Sequence, residues 1–399
     1  MIWKFALRNV LRNRKRSFLT MLTVFFGALL VGVTQAWVNG LVNDYIENFT
    51  RYQTGHVRVT TEEFLKREKF MPVDEVITGV EALKKKIENL QDVERVEERV
   101  QFGILLGHRE TTVQAVGMGL ELTSNPLDLK NKIIKGKFTG SGIYIGHKLA
   151  EKLKVSPGEE LLIATKTSIG GLNGIRVTVE GIFRLGMAYD KRYFFLDMKD
   201  TRRLLKLGDS TTALFIYSKS HDNVEDLKTH VSATLPGGIV AKTYKEQMGE
   251  FYATLDTMKS FYAFFEILVL FLASFVIINT MMMAIFERLR EIGTMKAMGM
   301  TDGEIFLNFT CEGAIIGAAG GITGAIIGFL IISYFGTRGI DMSSQLESFE
   351  MPIEYVIHPV TQLKDLAIAL AIAIVVPACA AMIPARYARK LMPAEALRK

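Results

Sequence analysis

Four long apolar runs punctuate this 399-residue sequence, and they constrain its fold more than any other feature. The first is Phe18 to Val38 and the second Phe261 to Phe286, broken only by Glu266, Ser274, Asn279 and Thr280. The third runs from about Ile305 to Phe335, and the fourth from Leu366 to Ile383, with Pro377 inside it and Pro384 at its end. A run of about 20 apolar residues matches the hydrocarbon thickness of a bilayer when helical. In hydrocarbon the backbone must satisfy its own hydrogen bonds, so such runs fold as helices, and a proline inside one predicts a kink. Basic residues precede the first run, as in a signal peptide. The run is too long for that, no A-x-A-like site follows, and it reads as an uncleaved anchor.

Loop charge sets the predicted orientation. Arg8, Arg12, Arg14, Lys15 and Arg16 precede the first run, Arg288, Arg290 and Lys296 follow the second, and Arg386, Arg389, Lys390, Arg398 and Lys399 follow the fourth. Between the third and fourth stand one arginine and the acids Asp341, Glu347, Glu350 and Glu354. The positive-inside rule puts both termini and the second loop in the cytoplasm and residues 39–260 outside it. The expected division is an interfacial amphipathic helix (1–16), a first membrane helix (17–38), an extracytoplasmic domain (39–260), a second helix (261–286), a cytoplasmic loop (287–304), a third helix (305–336), an external loop (337–364), a fourth helix (365–384) and a cytoplasmic tail (385–399). The fold class is therefore an α-helical integral membrane protein with four transmembrane helices and a large α+β extracytoplasmic domain.

The basic balance, a net charge of +6, clusters beside the apolar runs. It suits anionic lipid headgroups and, with no aromatic-basic motif, excludes nucleic acid as a partner. Trp3, Ala6, Leu7, Val10 and Leu11 share one helical face and Lys4, Arg8 and Arg12 another, which predicts a helix lying in the cytoplasmic interface. In the third run Gly313, Gly317 and Gly321 are spaced by four, and so are Gly320, Gly324 and Gly328. Such spacing lets a neighbouring helix backbone approach closely, though not which helix.

Residues 39–260 alternate strand and helix patterns. Strands are predicted at His56–Val59, Val93–Leu106, Thr112–Met118, Leu161–Thr165, Ile175–Phe183, Thr212–Tyr217 and Ile239–Thr243. Helices are predicted at Val80–Leu90, Gly146–Leu153, Thr201–Leu207 and Asn223–Leu235. Lys245–Lys259 reads as a helix running straight into the second membrane helix.

Catalytic chemistry is not visible. The sequence has no G-x-x-x-x-G-K-[ST] phosphate loop, no H-E-x-x-H, no G-x-S-x-G and no C-x-x-C. The six histidines include no pair at the i, i+4 spacing of a helical metal site, so no catalytic residue and no metal ligand is assigned. Cys311 and Cys379 sit within apolar runs as packing residues. Glu266 and Glu312 lie near the ends of their runs, within reach of an interface or a basic neighbour.

The loop Glu287-Arg288-Leu289-Arg290-Glu291-Ile292-Gly293-Thr294-Met295-Lys296-Ala297-Met298-Gly299 resembles the R-E-I-G-x-x-K-A-x-G signature of the FtsX/MacB class of ABC permeases. The tail Pro384-Ala385-Arg386-Tyr387-Ala388, then Pro393-Ala394-Glu395-Ala396-Leu397-Arg398, is similar to the ending of the same class. Within the class, Asn39-Gly40, Leu153-Lys154-Val155-Ser156-Pro157-Gly158-Glu159 and the strand Val177 to Phe183 resemble the lipoprotein-releasing permeases, LolC and LolE. The resemblance implies a MacB-like periplasmic core for the external domain and a bacterial inner-membrane location. It implies that the cytoplasmic loop is a coupling helix docking on an ATPase, with Arg288, Arg290, Glu291, Ile292, Gly293, Lys296, Ala297 and Gly299 as its residues. Arg290 and Glu291 would pair across that interface, the two glycines permit close approach, and Ile292 is expected to be its apolar knob.

The chain would be a non-catalytic subunit with no cofactor of its own, ATP and Mg being bound by a separate ABC ATPase dimer. It would pair with a second permease subunit, identical or related, around a cavity open to the outer leaflet. Thr34, Val38, Ile267 and Leu270 are the residues expected to line that slot. The cargo implied is a lipoprotein, extracted from the outer leaflet when ATP closes the cavity. LolC members carry a longer hairpin that recruits a soluble periplasmic carrier. Lys166 to Gly174 is short here, which weakens carrier docking on this subunit and makes it more LolE-like or a combined single-gene variant. The alternatives within the class are a MacB-like or peptide-resistance permease for another amphiphile and an FtsX-like mechanotransmission regulator of a cell-wall hydrolase.

Overall fold

The computed structural model describes residues 2–125, 127–219, 223–346, 354–361 and 363–391. The expected acids Glu347 and Glu350 and the tail motif Pro393–Arg398 lie outside the described residues. The chain forms two compact units, one of Met1–Val42, Ala253–Ile340 and Ile357–Lys399, the other of Asn43–Tyr252 and Asp341–Val356.

The first unit is helical. Helix α1 (Ile2–Arg12) is followed after one residue by α2 (Arg14–Phe49), then α3 (Glu250–Glu287), the short α4 (Leu289–Ala297), α5 (Asp302–Arg338) and α6 (Leu363–Lys390). Among the described residues four helices are long and apolar enough to cross a membrane, and they contain the four runs. The helices overrun the runs at several ends, since polar residues such as Asn43 and Asp44 continue a helix once nucleated. Helix α5 starts on a capping box: the Thr301 hydroxyl accepts the Glu304 N–H, and Glu304 accepts the Thr301 N–H at 2.8 Å.

The two glycine series of α5 face two different helices of the same chain. A Cβ at Gly313 or Gly321 would sit 2.4 Å from Ala381 Cβ or 2.5 Å from Ala373 Cβ, and at Gly317 2.9 Å from the Pro377 ring, all on α6. A Cβ at Gly320 or Gly324 would sit 2.6 Å from the Met21 or Phe25 carbonyl of α2. At Gly328 the nearest atoms, of Leu29, stand 4.0 Å away, so contact loosens there. Helix α6 runs uninterrupted past both prolines to Lys390, beyond the predicted end at 384.

The second unit is built on ten strands: β1 (Val57–Thr61), β2 (Val93–His108), β3 (Thr111–Leu120), β4 (Ile133–Gly136), β5 (Ile143–Gly146), β6 (Glu160–Lys166), β7 (Leu172–Phe183), β8 (Tyr193–Asp197), β9 (Ala213–Ser218) and β10 (Ile239–Thr243). The far half of β2 pairs with β3 and β6, β6 with β7, β7 with β5, β5 with β8 and β8 with β3. These six strands therefore close into a ring. Phe102, Leu106, Ile145, Ile163, Val179 and Phe194 fill it, all fully buried. Gly117 leaves room for the Phe102 and Phe194 rings, whose Cζ atoms stand 2.5 and 2.6 Å from where its Cβ would be. The near half of β2 turns away to pair with β9, which continues through β1 to β10.

Two expectations change here. The helix predicted over Lys245–Lys259 is interrupted: one helix ends at Met248, Gly249 takes φ +52°, and α3 begins at Glu250. Only glycine adopts that conformation without strain, so it acts as a stop. The helix predicted from Thr201 begins at Met198, because the Asp197 carboxylate accepts the Lys199 N–H at 3.1 Å.

Candidate functional site

Helix α4, between α3 and α5, carries the signature residues, and burial sorts them into two faces. Arg288 breaks the chain between α3 and α4 and turns inward, 5% exposed, where its Nη1 stands 3.4 Å from the carboxylate of Glu312, itself 2% exposed. Glu312 thus has its basic neighbour, as its position near the run end suggests. A second Arg288 nitrogen donates to the Asn9 carbonyl at 3.3 Å. Two charges removed from water persist only when paired and hydrogen-bonded.

Ile292 is fully buried and Gly293 buried too, packed with Ile285, Ile305 and Phe309. The expectation that Ile292 is a knob offered to a partner is therefore wrong: its branched side chain serves the core of the helical unit. Lys296 also turns inward. Its ammonium donates to the carbonyls of Arg389 at 2.6 Å and Leu391 at 2.8 Å and pairs with Asp302 at 2.7 Å. A lysine among the last carbonyls of a helix satisfies acceptors that have no intrahelical donor. It thereby ties α4 to the end of α6 and the start of α5.

The outward face consists of Arg290, Glu291, Thr294, Ala297, Met298 and Gly299, all exposed. Glu291 is engaged within the chain, as its carboxylate accepts from Arg12, while Glu287 accepts from Arg16 at 2.6 Å. These pairs join α1 and the start of α2 to α4 and the end of α3. Arg290, Thr294 and Ala297–Met298 recur at helical spacing, and Met298 is 76% exposed. Met298, not Ile292, is the exposed large apolar side chain of this segment, which the sequence reading missed. Its signal was there: it lies four residues after Thr294 and six after Ile292, so a helix burying Ile292 turns Met298 outward. Gly299, at φ +98°, closes the helix behind it.

The four residues expected to line a slot differ in exposure within the chain. Val38 is buried, Thr34 half-buried and Ile267 65% exposed. Leu270 lines a small apolar cleft with Val24, Val31, Ile277 and Pro377. On α1, Ala6 is buried, whereas Trp3, Leu7 and Leu11 of the predicted apolar face are exposed.

The family profile of the MacB-like periplasmic core domain matches residues 17–234, and that of the FtsX-like permease C-terminal region matches residues 263–393. The lipoprotein-releasing system transmembrane protein LolC of Xylella fastidiosa (strain 9a5c) is 22% identical over 267 residues, covering 64% of this chain and 64% of that protein. LolE of Haemophilus influenzae (strain ATCC 51907 / DSM 11121 / KW20 / Rd) is 21% identical over 331 residues, 79% of this chain and 80% of that protein. The macrolide export ATP-binding/permease protein MacB of Vibrio parahaemolyticus serotype O3:K6 (strain RIMD 2210633) is 28% identical over 144 residues, 36% of this chain and 20% of that protein. The chain thus spans less than two thirds of the length of the Xylella relative. With one profile over more than half the sequence and the other over the segment that holds α4, the chain belongs to the ABC transporter permeases that join a MacB-like periplasmic core domain to an FtsX-like permease region.

Proposed function

We propose that this protein is the membrane subunit of an ABC transporter that extracts lipoproteins from the outer leaflet of the bacterial inner membrane. The supporting observation is the outward face of α4, with Met298 at its crest, in a chain similar to LolC and LolE. In this reading four helices cross the membrane, both termini are cytoplasmic and the α+β domain is periplasmic. A separate ATPase dimer binds ATP and Mg, this chain holding no cofactor, and a second permease subunit, identical or related, completes the cavity. The apolar face of α3, with Phe264, Phe271 and Phe275 exposed, suits either that subunit or an acyl chain. A soluble carrier then takes the released lipoprotein.

Proteoliposomes holding this chain, its co-purifying ATPase, any second permease subunit, a soluble lipoprotein carrier and one triacylated lipoprotein provide the test. ATP-dependent transfer of the lipoprotein to the soluble fraction is expected, and Met298→Asp, which puts a charge on the docking crest without touching the core, is expected to lower it at least tenfold. Vigorous ATP hydrolysis without release would overturn lipoprotein extraction. The similarity to MacB supports a second reading, export of another amphiphile, which predicts that failure together with ATP-driven movement of a smaller amphiphile.

A further inference from the structure

Between α1 and α4 lies a cavity of about 730 Å³, all of it within the helical unit. That volume falls within the range of small-molecule sites. Phe5, Met295, Met300 and Phe309 provide apolar wall, and Arg8, Arg12 and Arg288 bring three guanidinium groups to the same space. Two of these are compensated, Arg12 by Glu291 and Arg288 by Glu312. Arg8 has no ion-pair partner among the described residues, so the site carries one positive charge in excess. Asn308 also lines the cavity, about two turns into α5. It is 2% exposed, and its side-chain oxygen has no hydrogen-bond donor among the described residues. An acceptor left alone at that depth costs roughly 1–3 kcal/mol unless a ligand or water donates to it.

We propose that this cavity binds the headgroup of an anionic glycerophospholipid whose headgroup carries hydroxyls, the phosphatidylglycerol type. A phosphodiester brings one negative charge to the one uncompensated arginine. A headgroup hydroxyl donates to Asn308, which the phosphate oxygens cannot do. The apolar wall of phenylalanine and methionine receives the first methylenes of the acyl chains. The direction of approach fits a lipid, because Trp3, Leu7 and Leu11 of α1 are exposed and apolar, as on a helix lying at the bilayer surface. The occupied site would join the interfacial helix to α4, so the lipid becomes part of the coupling machinery. This inference rests on the placement of α1 and α4 at the cytoplasmic leaflet, and not on what the transporter carries.

The test uses the full-length chain alone, solubilised in detergent, without ATPase or ATP. Native mass spectrometry counts the lipid retained from equimolar phosphatidylglycerol, phosphatidic acid, phosphatidylethanolamine and phosphatidylcholine. One phosphatidylglycerol per chain is expected above the rest. Arg8→Gln is expected to weaken it about fivefold, the effect of one basic residue at an anionic surface. Asn308→Leu is expected to remove the preference for phosphatidylglycerol over phosphatidic acid while leaving that for anionic lipid. Lys15→Gln, outside the cavity, is expected to change neither. Equal losses in Arg8→Gln and Lys15→Gln would mean diffuse surface attraction and overturn the site. So would retention of all four lipids alike, or unchanged lipid retention in Arg8→Gln. None of these outcomes depends on lipoprotein release, so either proposal can fail alone.

Discussion

Arg288 and Met298 lie ten residues apart in the same short segment and have opposite fates. The arginine, the more obvious candidate for a protein interface, is withdrawn against Glu312; the methionine stands in solvent. Removing one partner of a buried pair strands the other. Glu312→Leu should therefore lower stability by about 3–5 kcal/mol, and the double variant Arg288→Met/Glu312→Leu should recover most of that. Thermal unfolding in detergent decides: a double variant as unstable as the single one would show that the pair is not the source. The signature was legible as a motif, and the division of labour within it was not. Charge patterning places Arg288 and Lys296 on a solvated loop, whereas the fold gives Arg288 the distant Asn9 carbonyl and the Glu312 carboxylate, and gives Lys296 the distant carbonyls of Arg389 and Leu391 beside its near neighbour Asp302.

At the scale of the element, α5 is defined by what it lacks. Its glycines admit α6 on one side and α2 on the other, and the spacing of four that reveals them in the sequence cannot say which neighbour is met. Gly321→Val and Gly320→Val should each cost about 1–3 kcal/mol through overpacking. Gly27→Ala, where a Cβ would have nothing within 4 Å, should be neutral or slightly stabilising through helix propensity. The same thermal measurements test this, and a Gly321→Val protein as stable as the parent would refute the packing. In the ring of strands, the long alternating β2 and β7 are readable from pattern. β5 and β8 are not, because short strands buried on both faces show no alternation. The start of α5 was readable in principle, since Thr301-Asp302-Gly303-Glu304 is a capping-box sequence.

For the whole molecule, the four long apolar helices follow from hydropathy, while the closure of the strand ring depends on pairings no local pattern specifies. In the strand-built unit, the turn around Glu159 is expected to be acid-sensitive. The Ser156 N–H donates to Glu159 at 2.8 Å, and Arg109 donates to it at 2.8 Å; the backbone donor chiefly, with the arginine, holds its carboxyl below the usual carboxylate range. A carboxylate with a depressed folded pKa contributes stability above its unfolded value, near 4.5, and loses it as pH falls through the folded value. Unfolding temperature should thus drop with pH below about 4.5, and Glu159→Gln should flatten that slope while lowering stability at neutral pH. An unchanged slope would place the acid sensitivity elsewhere.

Lys296 has a mechanical meaning as well. Its ammonium holds the last carbonyls of α6 and the first carboxylate of α5, while α4 follows α3 after a single residue. In the proposed coupling, a load applied at Met298 would be shared among three long helices at their common end. The stroke expected of such a lever is a tilt of the bundle, with one lysine keeping the three roots together.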